Sequence, residues 1–248
     1  MTTETTQQAR DFRGTHTAGR SHEELRDLVS HVGAELELAP AENIIEWAVA
    51  TFGDRFCITS SMGDAVLAHL AAKVAPGVDV VFLDTGYHFA ETYGTRAQVA
   101  HELDVTIVDV LPTRTVAQQD AEFGPRLYER DPAACCRMRK VEPLKAALGG
   151  YEAWVTGIRR DEGPTRTDTP LVTFDEQFGL VKLNPLAAWT FDEVVDYAND
   201  HRVPVNLLLS DGYPSIGCEP CTQRVAPGND PRAGRWAGFA KTECGLHP

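Results

Sequence analysis

Two adjacent thiols, Cys135 and Cys136, stand in the stretch Asp131-Pro132-Ala133-Ala134-Cys135-Cys136-Arg137-Met138-Arg139-Lys140. Neighbouring Cα atoms lie about 3.8 Å apart across a trans peptide. That is closer than the usual disulfide separation, so a bond between the two would be strained. Each sulfur is better directed at something else. The segment Gly217-Cys218-Glu219-Pro220-Cys221 supplies a CxxC, and the two pairs make a set of four thiols. Arg137, Arg139 and Lys140 follow the first pair, and cationic neighbours favour thiolate and offset the charge of a thiolate-bound metal centre. Such sets hold zinc or iron–sulfur clusters. A CC pair in place of a second CxxC is unusual for zinc, but spacing alone leaves the metal open. A further thiol, Cys244, sits in Lys241-Thr242-Glu243-Cys244-Gly245-Leu246-His247-Pro248. Lys241 and His247 favour its thiolate, and Gly245 gives the backbone freedom. Just upstream, Arg232, Arg235 and Trp236 add two cations and an aromatic ring. The segment reads as a flap carrying a nucleophile onto an anionic substrate; the plainer alternative is an incidental exposed thiol. Cys57, in the apolar run Phe56-Cys57-Ile58-Thr59, reads as a core residue.

Three loops carry the second kind of chemistry. Thr59-Ser60-Ser61-Met62-Gly63-Asp64 lies between a strand-like run and a helical one. Such a turn presents backbone N–H groups at a helix N-terminus, where anions bind. It lacks the lysine of a Walker loop, and a simple capped turn is the alternative. Ser60, Ser61 and Gly63 are the candidates. Leu83-Asp84-Thr85-Gly86-Tyr87-His88 ends the next strand, on the edge where open α/β sheets bind ligands. Asp84, Thr85 and Gly86 are candidates there for a ribose or base, with helix capping as the competing role. Thr156-Gly157-Ile158-Arg159-Arg160-Asp161-Glu162, with Arg166 close behind, delivers guanidinium groups that grip phosphate or sulfate bidentately. Arginine pairs are commonly solvated surface. In a chain this acidic, clustered cations at a sheet edge favour an anion.

These residues need a scaffold. Helical patterns run over Ser21–Leu38, with a capping-box pair at Ser21 and Glu24, and over Pro40–Phe52, stopped by Gly53. Strands at Phe56–Thr59, Val78–Leu83 and Val105–Val110 alternate with helices at Asp64–Val74 and Phe89–Leu103. That alternation predicts an α/β fold, a parallel sheet flanked by helices. The second half predicts a helix over Arg137–Leu148 and a strand over Ala153–Thr156. It also predicts a hairpin pairing Leu171–Phe174 with Leu180–Leu183, and a helix over Phe191–His201. The organisation is a disordered N-terminus (1–20), a nucleotide-binding α/β domain (21–210), and a thiol-bearing segment with an irregular, mobile C-terminal tail (211–248).

The chain has 248 residues and a formal net charge of −13. The charge argues against general nucleic-acid binding. No apolar run is long enough for a bilayer span, and the N-terminal stretch lacks a signal-peptide core, so a cytoplasmic location with no membrane partner is expected. In a reducing cytosol, six cysteines point to metal binding or catalysis rather than disulfides.

Together these motifs resemble the assimilatory sulfonucleotide reductases, specifically the bacterial iron–sulfur adenosine 5′-phosphosulfate (APS) reductases. The resemblance rests on Cys135-Cys136-Arg137-Met138-Arg139-Lys140, Thr156-Gly157-Ile158-Arg159-Arg160, Tyr213-Pro214-Ser215-Ile216-Gly217-Cys218-Glu219-Pro220-Cys221, Gly234-Arg235-Trp236 and Glu243-Cys244-Gly245-Leu246-His247. It departs from the family pattern in the first loop, Ser60-Ser61-Met62-Gly63-Asp64-Ala65. The resemblance implies a fold like that of the adenine nucleotide α-hydrolases and one [4Fe-4S] cluster on Cys135, Cys136, Cys218 and Cys221. It implies that Cys244 attacks the sulfur of APS, leaving a thiosulfonate and releasing AMP, and that thioredoxin then frees sulfite, in sulfate assimilation and cysteine biosynthesis. Lys140, Arg159, Arg160, Arg166, Arg232, Arg235 and His247 would meet the anionic substrate. A homo-oligomer is expected. The competing readings are a reductase of 3′-phosphorylated APS (PAPS), whose relatives lack the four cluster cysteines, a zinc-binding nucleotide module, and an adenylating enzyme.

Overall fold

The computed structural model describes residues 19–247, so all but Gly19 and Arg20 of the expected disordered N-terminus lies outside the described residues. Helix α1 (His22–Leu36) opens with the capping box of Ser21 and Glu24. Helix α2 (Ala41–Phe52) ends at Gly53, whose φ of 61° suits the missing side chain. Strand β1 (Phe56–Thr59), helix α3 (Val66–Val74), strand β2 (Val78–Leu83), helix α4 (Ala90–Glu102) and strand β3 (Val105–Val110) follow. The helix expected from Asp64 starts at Val66, because the Asp64 carboxylate takes the Val66 N–H at 3.0 Å and holds its own backbone outside the helix.

Between β3 and the next strand lie three helices that periodicity did not reveal: α5 (Val116–Phe123), α6 (Leu127–Arg130) and α7 (Pro132–Cys136). They are short and carry little apolar stripe. The helix expected over 137–148 is composite. One π-helical turn, Arg137–Val141, precedes helix α8 (Glu142–Leu148). Such wide turns occur often at functional sites, and this one follows directly on the paired thiols. Strand β4 (Ala153–Thr156), the hairpin β5 (Val172–Asp175) and β6 (Leu180–Leu183), and helix α9 (Phe191–His201) complete the described elements.

The sheet order is β3-β2-β1-β4-β6-β5. Every pairing is parallel except the edge hairpin, where β5 runs antiparallel to β6. The sheet is therefore mixed rather than wholly parallel, because a short hairpin connection can join only antiparallel strands. The chain moves outward from β1 through β2 to β3, then returns to place β4 on the other flank of β1. This reversal creates a crevice beyond the carboxyl ends of β1 and β4, the position at which open α/β sheets bind ligands. One face of the sheet buries α1, α2, α3 and α9 in the main core. The other face packs Cys57, Val81 and Trp154 against α8, and Leu246 of the tail joins it. Cys57 is fully buried, as expected of a core residue, and burial pushes its thiol pKa well up. Among the described residues no helix is long and apolar enough to cross a membrane.

Glu152, at the foot of β4, ties the N-terminal segment to the sheet. It accepts the Arg20 backbone N–H at 2.6 Å and pairs with the Arg20 and Arg55 guanidinium groups. Burial raises its carboxyl, but the Arg20 hydrogen bonds and the two positive charges outweigh that and hold it below its ordinary 4.5. Its contribution to stability is thus complete above the unfolded value and lost as pH falls through the lower folded value. Glu152→Gln should lower unfolding free energy by about 1–3 kcal/mol at neutral pH. In thermal melts the gap to the parent chain should shrink steadily as pH falls below about 4.5.

Candidate active site

A cavity of about 240 Å³ fills the crevice at the reversal point. The loop after β1 contributes Ser60, Ser61 and Gly63, and the loop after β4 contributes Gly157, Arg159 and Arg166. Lys140 reaches it from the π-helical turn, and the C-terminal segment closes it with Arg232, Arg235, Cys244 and His247. The β1 loop is held by Asn206, which sequence reading missed. Its side-chain amide donates to the Met62 carbonyl at 3.0 Å, and its backbone N–H donates to the Gly63 carbonyl at 2.9 Å. Met62 thereby sits buried at a left-handed φ of 58°, a strained position of the kind found beside ligand sites.

The cations of this cavity fall into two groups. Arg159 pairs with Asp161 and Glu162, Arg166 with Glu162 and Glu243, and Arg232 with Glu243. Lys140 and Arg235 have no carboxylate within ion-pair distance among the described residues. Burial pulls the Lys140 ammonium down, but the thiols of Cys218, Cys244 and Cys136 outweigh it, and its pKa is raised. Arg235 donates to Ser215 Oγ at 3.2 Å and the Ile216 carbonyl at 3.3 Å, while its Nε is buried without a partner. His247 stacks on Trp154, rings 5.6 Å apart and 8° from parallel. Burial above all, then Lys182, Arg166 and Arg232, push the imidazole well below its ordinary 6.5, so it is neutral at neutral pH.

The four paired cysteines line a second, smaller pocket immediately beside the first, with Tyr87, Tyr128, Pro132, Pro220 and Trp236. Lys140 and Arg235 line both pockets and so form the wall between them. Burial, then the nearby thiols of Cys136, Cys218 and Cys221, push Cys135 up to about 12. Burial, then Cys218 and Cys136, push Cys221 up to about 11. Four thiols this close cannot all ionise without added positive charge, so the donor set suits a metal centre that supplies it. Among the described residues no group of three or more His, Cys, Asp or Glu has the geometry to hold one metal ion. The four thiols line one shared pocket, a donor set of the kind that holds a thiolate-bound metal centre.

The second loop serves both: Leu83 and His88 line the cavity, and Tyr87 lines the thiol pocket. Thr85 is buried with its Oγ1 3.3 Å from Cys218 Sγ. Asp84 accepts the Gly86 N–H and the Tyr93 hydroxyl at 2.9 and 2.7 Å. Gly86, at a φ of 72°, leaves room for Arg139, which would lie 3.1 Å from any Cβ there. Arg139 is buried, donates to the Thr85 carbonyl and Gln119, and lies over the Tyr87 ring. Asp84, Thr85 and Gly86 are thus absent from the cavity wall, although Leu83 and His88 on either side of them line it, because Asp84 is engaged by the Gly86 N–H and the Tyr93 hydroxyl and Thr85 by Cys218. Arg160 is also absent from it. Its guanidinium turns back to the Thr169 carbonyl and to Glu37 at the end of α1.

The tail is irregular, as expected, and lies closed over the cavity. Thr222 bridges to Arg235, and the Trp236 N–H donates to the Cys221 carbonyl at 3.0 Å. Arg235, Lys241 and Arg232 surround the buried Trp236 indole at 4.6, 5.5 and 5.9 Å. Further on, Gln177 donates to the Gly245 carbonyl at 2.9 Å. Cys244 is half-buried between these fixed points, facing the cavity. Trp236 and Glu243 stand in motifs the sequence displays, but their pairings, like the places of Trp154 and Tyr87, are not revealed by spacing.

An anion cavity at the reversal point of an α/β sheet, walled by cations and abutted by clustered thiols, defines a nucleotide-binding thiol protein. Residues 55–224 match the family described as phosphoadenosine phosphosulfate reductase domain, and the chain belongs to that family. It is 58% identical to an adenosine 5′-phosphosulfate reductase of Streptomyces coelicolor, over 92% of this chain and 97% of that one. It is 57% identical to the protein of the same name from Mycolicibacterium smegmatis, over 90% and 95%. Among solved structures, a PAPS reductase from Candida auris in a phosphate complex aligns with a TM-score of 0.68 at 28% identity, covering 85% of this chain and all of that one. A Candida glabrata FMN adenylyltransferase, at 12% identity and a TM-score of 0.52, shares the fold.

The strap from the CxxC to the tail depends on Gly234, where an added Cβ would lie 2.1 Å from the Gln223 carbonyl oxygen. Backbone cannot yield as a flexible side chain can, so Gly234→Ala should destabilise this region by about 1–3 kcal/mol. Limited proteolysis should then cut within residues 222–247 much faster than in the parent chain, with the sheet core still intact.

Proposed function

We propose that this chain reduces adenosine 5′-phosphosulfate to sulfite and AMP in sulfate assimilation, with Cys244 as nucleophile and thioredoxin as reductant. The observation that carries this reading is the position of Cys244. It faces a nucleotide-sized cavity whose wall holds Lys140 and Arg235, two cations without carboxylate partners among the described residues. The names of the bacterial relatives support the substrate. A thiolate approaching a sulfated nucleotide meets negative charge on both sulfate and phosphate. Preorganised cations offset that repulsion and stabilise the departing AMP. Lys140 and Arg235 fit this role best, because Arg159, Arg166 and Arg232 are already engaged by acids.

In the step proposed, the Cys244 thiolate attacks the sulfur of the sulfuryl group. The S–O bond to AMP breaks, AMP leaves with that oxygen and its electron pair, and Cys244 carries S–SO₃⁻. A thioredoxin thiolate then attacks the Cys244 sulfur, and sulfite leaves with the S–S electron pair. The second thioredoxin thiol resolves the mixed disulfide, so two thiols supply both electrons. His247, neutral and stacked on Trp154, adds no positive charge of its own to the cavity. Cys135, Cys136, Cys218 and Cys221 would hold the [4Fe-4S] cluster. The chemistry such a cluster would supply is electrostatic, acting through Lys140 and Arg235, which line both pockets. A cytoplasmic homo-oligomer belongs to the same reading through the family resemblance.

Anaerobically purified protein should contain about four iron and four acid-labile sulfide per chain, with a broad visible charge-transfer band. Zinc without sulfide would overturn the cluster and favour the zinc-binding nucleotide module. Cys244→Ser should abolish sulfite production on APS and PAPS alike while still binding AMP. Arg235→Met should retain the fold and lower kcat/KM for APS by about a hundredfold, the scale of one lost transition-state donor. A higher kcat/KM on PAPS than on APS would reassign the substrate.

A further inference from the structure

The residue before the nucleophile is the most heavily bonded group of the tail. Arg166 donates to both oxygens of Glu243, from Nε and from Nη2, each at 3.0 Å. Arg232 donates to the same carboxylate at 2.9 Å and to the Thr242 carbonyl at 2.9 Å. Thr165 Oγ1 adds a fourth donor at 3.0 Å. These groups are shielded: the side chains of Glu243, Arg166 and Arg232 are 16, 10 and 11% exposed. A bidentate, partly buried pairing of this kind is much less screened than a surface pair, and removing one partner leaves charge uncompensated. Burial raises the Glu243 carboxyl, but the Arg166 and Arg232 interactions outweigh it, so Glu243 is ionised at neutral pH. On the other side of Cys244, the anchors are Gly245, Leu246 and His247, through one hydrogen bond and apolar or aromatic contact. The nucleophile is therefore fixed by an ionic contact before it and packing after it.

We propose that Glu243 is a positioning residue: with Arg166 and Arg232 it forms an ionic clasp that holds the tail closed and Cys244 at the cavity. The inference rests on the reading of Cys244 as nucleophile. The two arginines come from different parts of the chain, Arg166 from the loop after β4 and Arg232 from the tail strap. The clasp therefore joins the tail to the crevice itself. Arg166 keeps Glu162 as a partner when the clasp opens, so its socket stays formed and can be re-engaged. Opening exposes Cys244 to a protein reductant, and closing returns it to the substrate; lid motions of this type gate turnover. The same geometry separates the duties of the cations. Arg166 and Arg232 hold the tail, which leaves Lys140 and Arg235 for the substrate's anions.

The test uses the full-length, cluster-loaded protein under anaerobic conditions. Amide hydrogen exchange over residues 240–247 should speed up by about tenfold or more in Glu243→Gln. Arg166→Met should do the same, and the double variant should exchange no faster than the faster single one, because the bonds from Arg166 to the tail all end on Glu243. Raising salt should speed exchange in the parent chain and have little effect in Glu243→Gln. Melting temperature and iron content should not change. Single-turnover formation of the Cys244 adduct should slow, while release of sulfite from preformed adduct by dithiothreitol should not. Unchanged exchange in Glu243→Gln, or additive effects in the double variant, would overturn the clasp. Exchange needs no substrate, so faster exchange with no APS turnover in any variant would retain the clasp and reject the proposed reaction.

Discussion

Negative charge has to be gathered at one end of this sheet, and the structure is arranged to make that tolerable. Four thiols lie on one side of a wall and an anion-sized cavity on the other, with Cys244 facing the cavity. Each group repels the others when ionised. Lys140 and Arg235 stand in the wall and belong to both pockets. Their elements differ: Lys140 rides the π-helical turn behind the paired thiols, and Arg235 rides the strap that leaves the CxxC. Each cation is thus placed by the same segment that supplies thiols. Charge compensation and thiol placement are one structural problem here, solved by one set of loops.

The strap explains how distant parts of the chain cooperate. The Trp236 N–H is fixed to the Cys221 carbonyl, and Arg235 is paired across from Thr222. Gly217 permits the approach of Arg235, since a Cβ there would lie 2.2 Å from its guanidinium. The CxxC segment in turn pairs with the loop after β2, through His88 and Cys218 and through the Glu219 N–H to the Tyr87 carbonyl. Whatever orders the thiol pocket therefore also orders the base of the tail.

Local signals decided much of what was legible in the chain. The capping box of α1 and the β1, β2, β3 and β4 runs are encoded in neighbouring residues, and each formed where its pattern stood. The segments α5, α6 and α7 were missed because they are too short for apolar periodicity to register. The π-helical turn was missed because a wide turn keeps the same residue types as an α-helix. The roles of Asn206 and Glu243 were missed because they depend on partners far along the chain, Met62 for Asn206 and Arg166 for Glu243.

Residue identity alone determined that this chain carries two thiol pairs, a further thiol in a cationic tail, and arginine-bearing turns on an α/β scaffold. Those are properties of short windows, and short windows are what a linear sequence displays. Which turns meet was decided by strand order. The loops after β1 and β4 share the crevice because β1 has β4 as its neighbour, while the loop after β2, equally suggestive as a string of letters, gives His88 to the cavity and Tyr87 to the thiol pocket. Which arginines are free was decided by acids brought in from elsewhere: Glu37 takes Arg160, Glu243 takes Arg166 and Arg232, and Arg235 is left facing the cavity. Charge count is a sequence property, but charge availability depends on through-space pairing, and only the folded chain sets that.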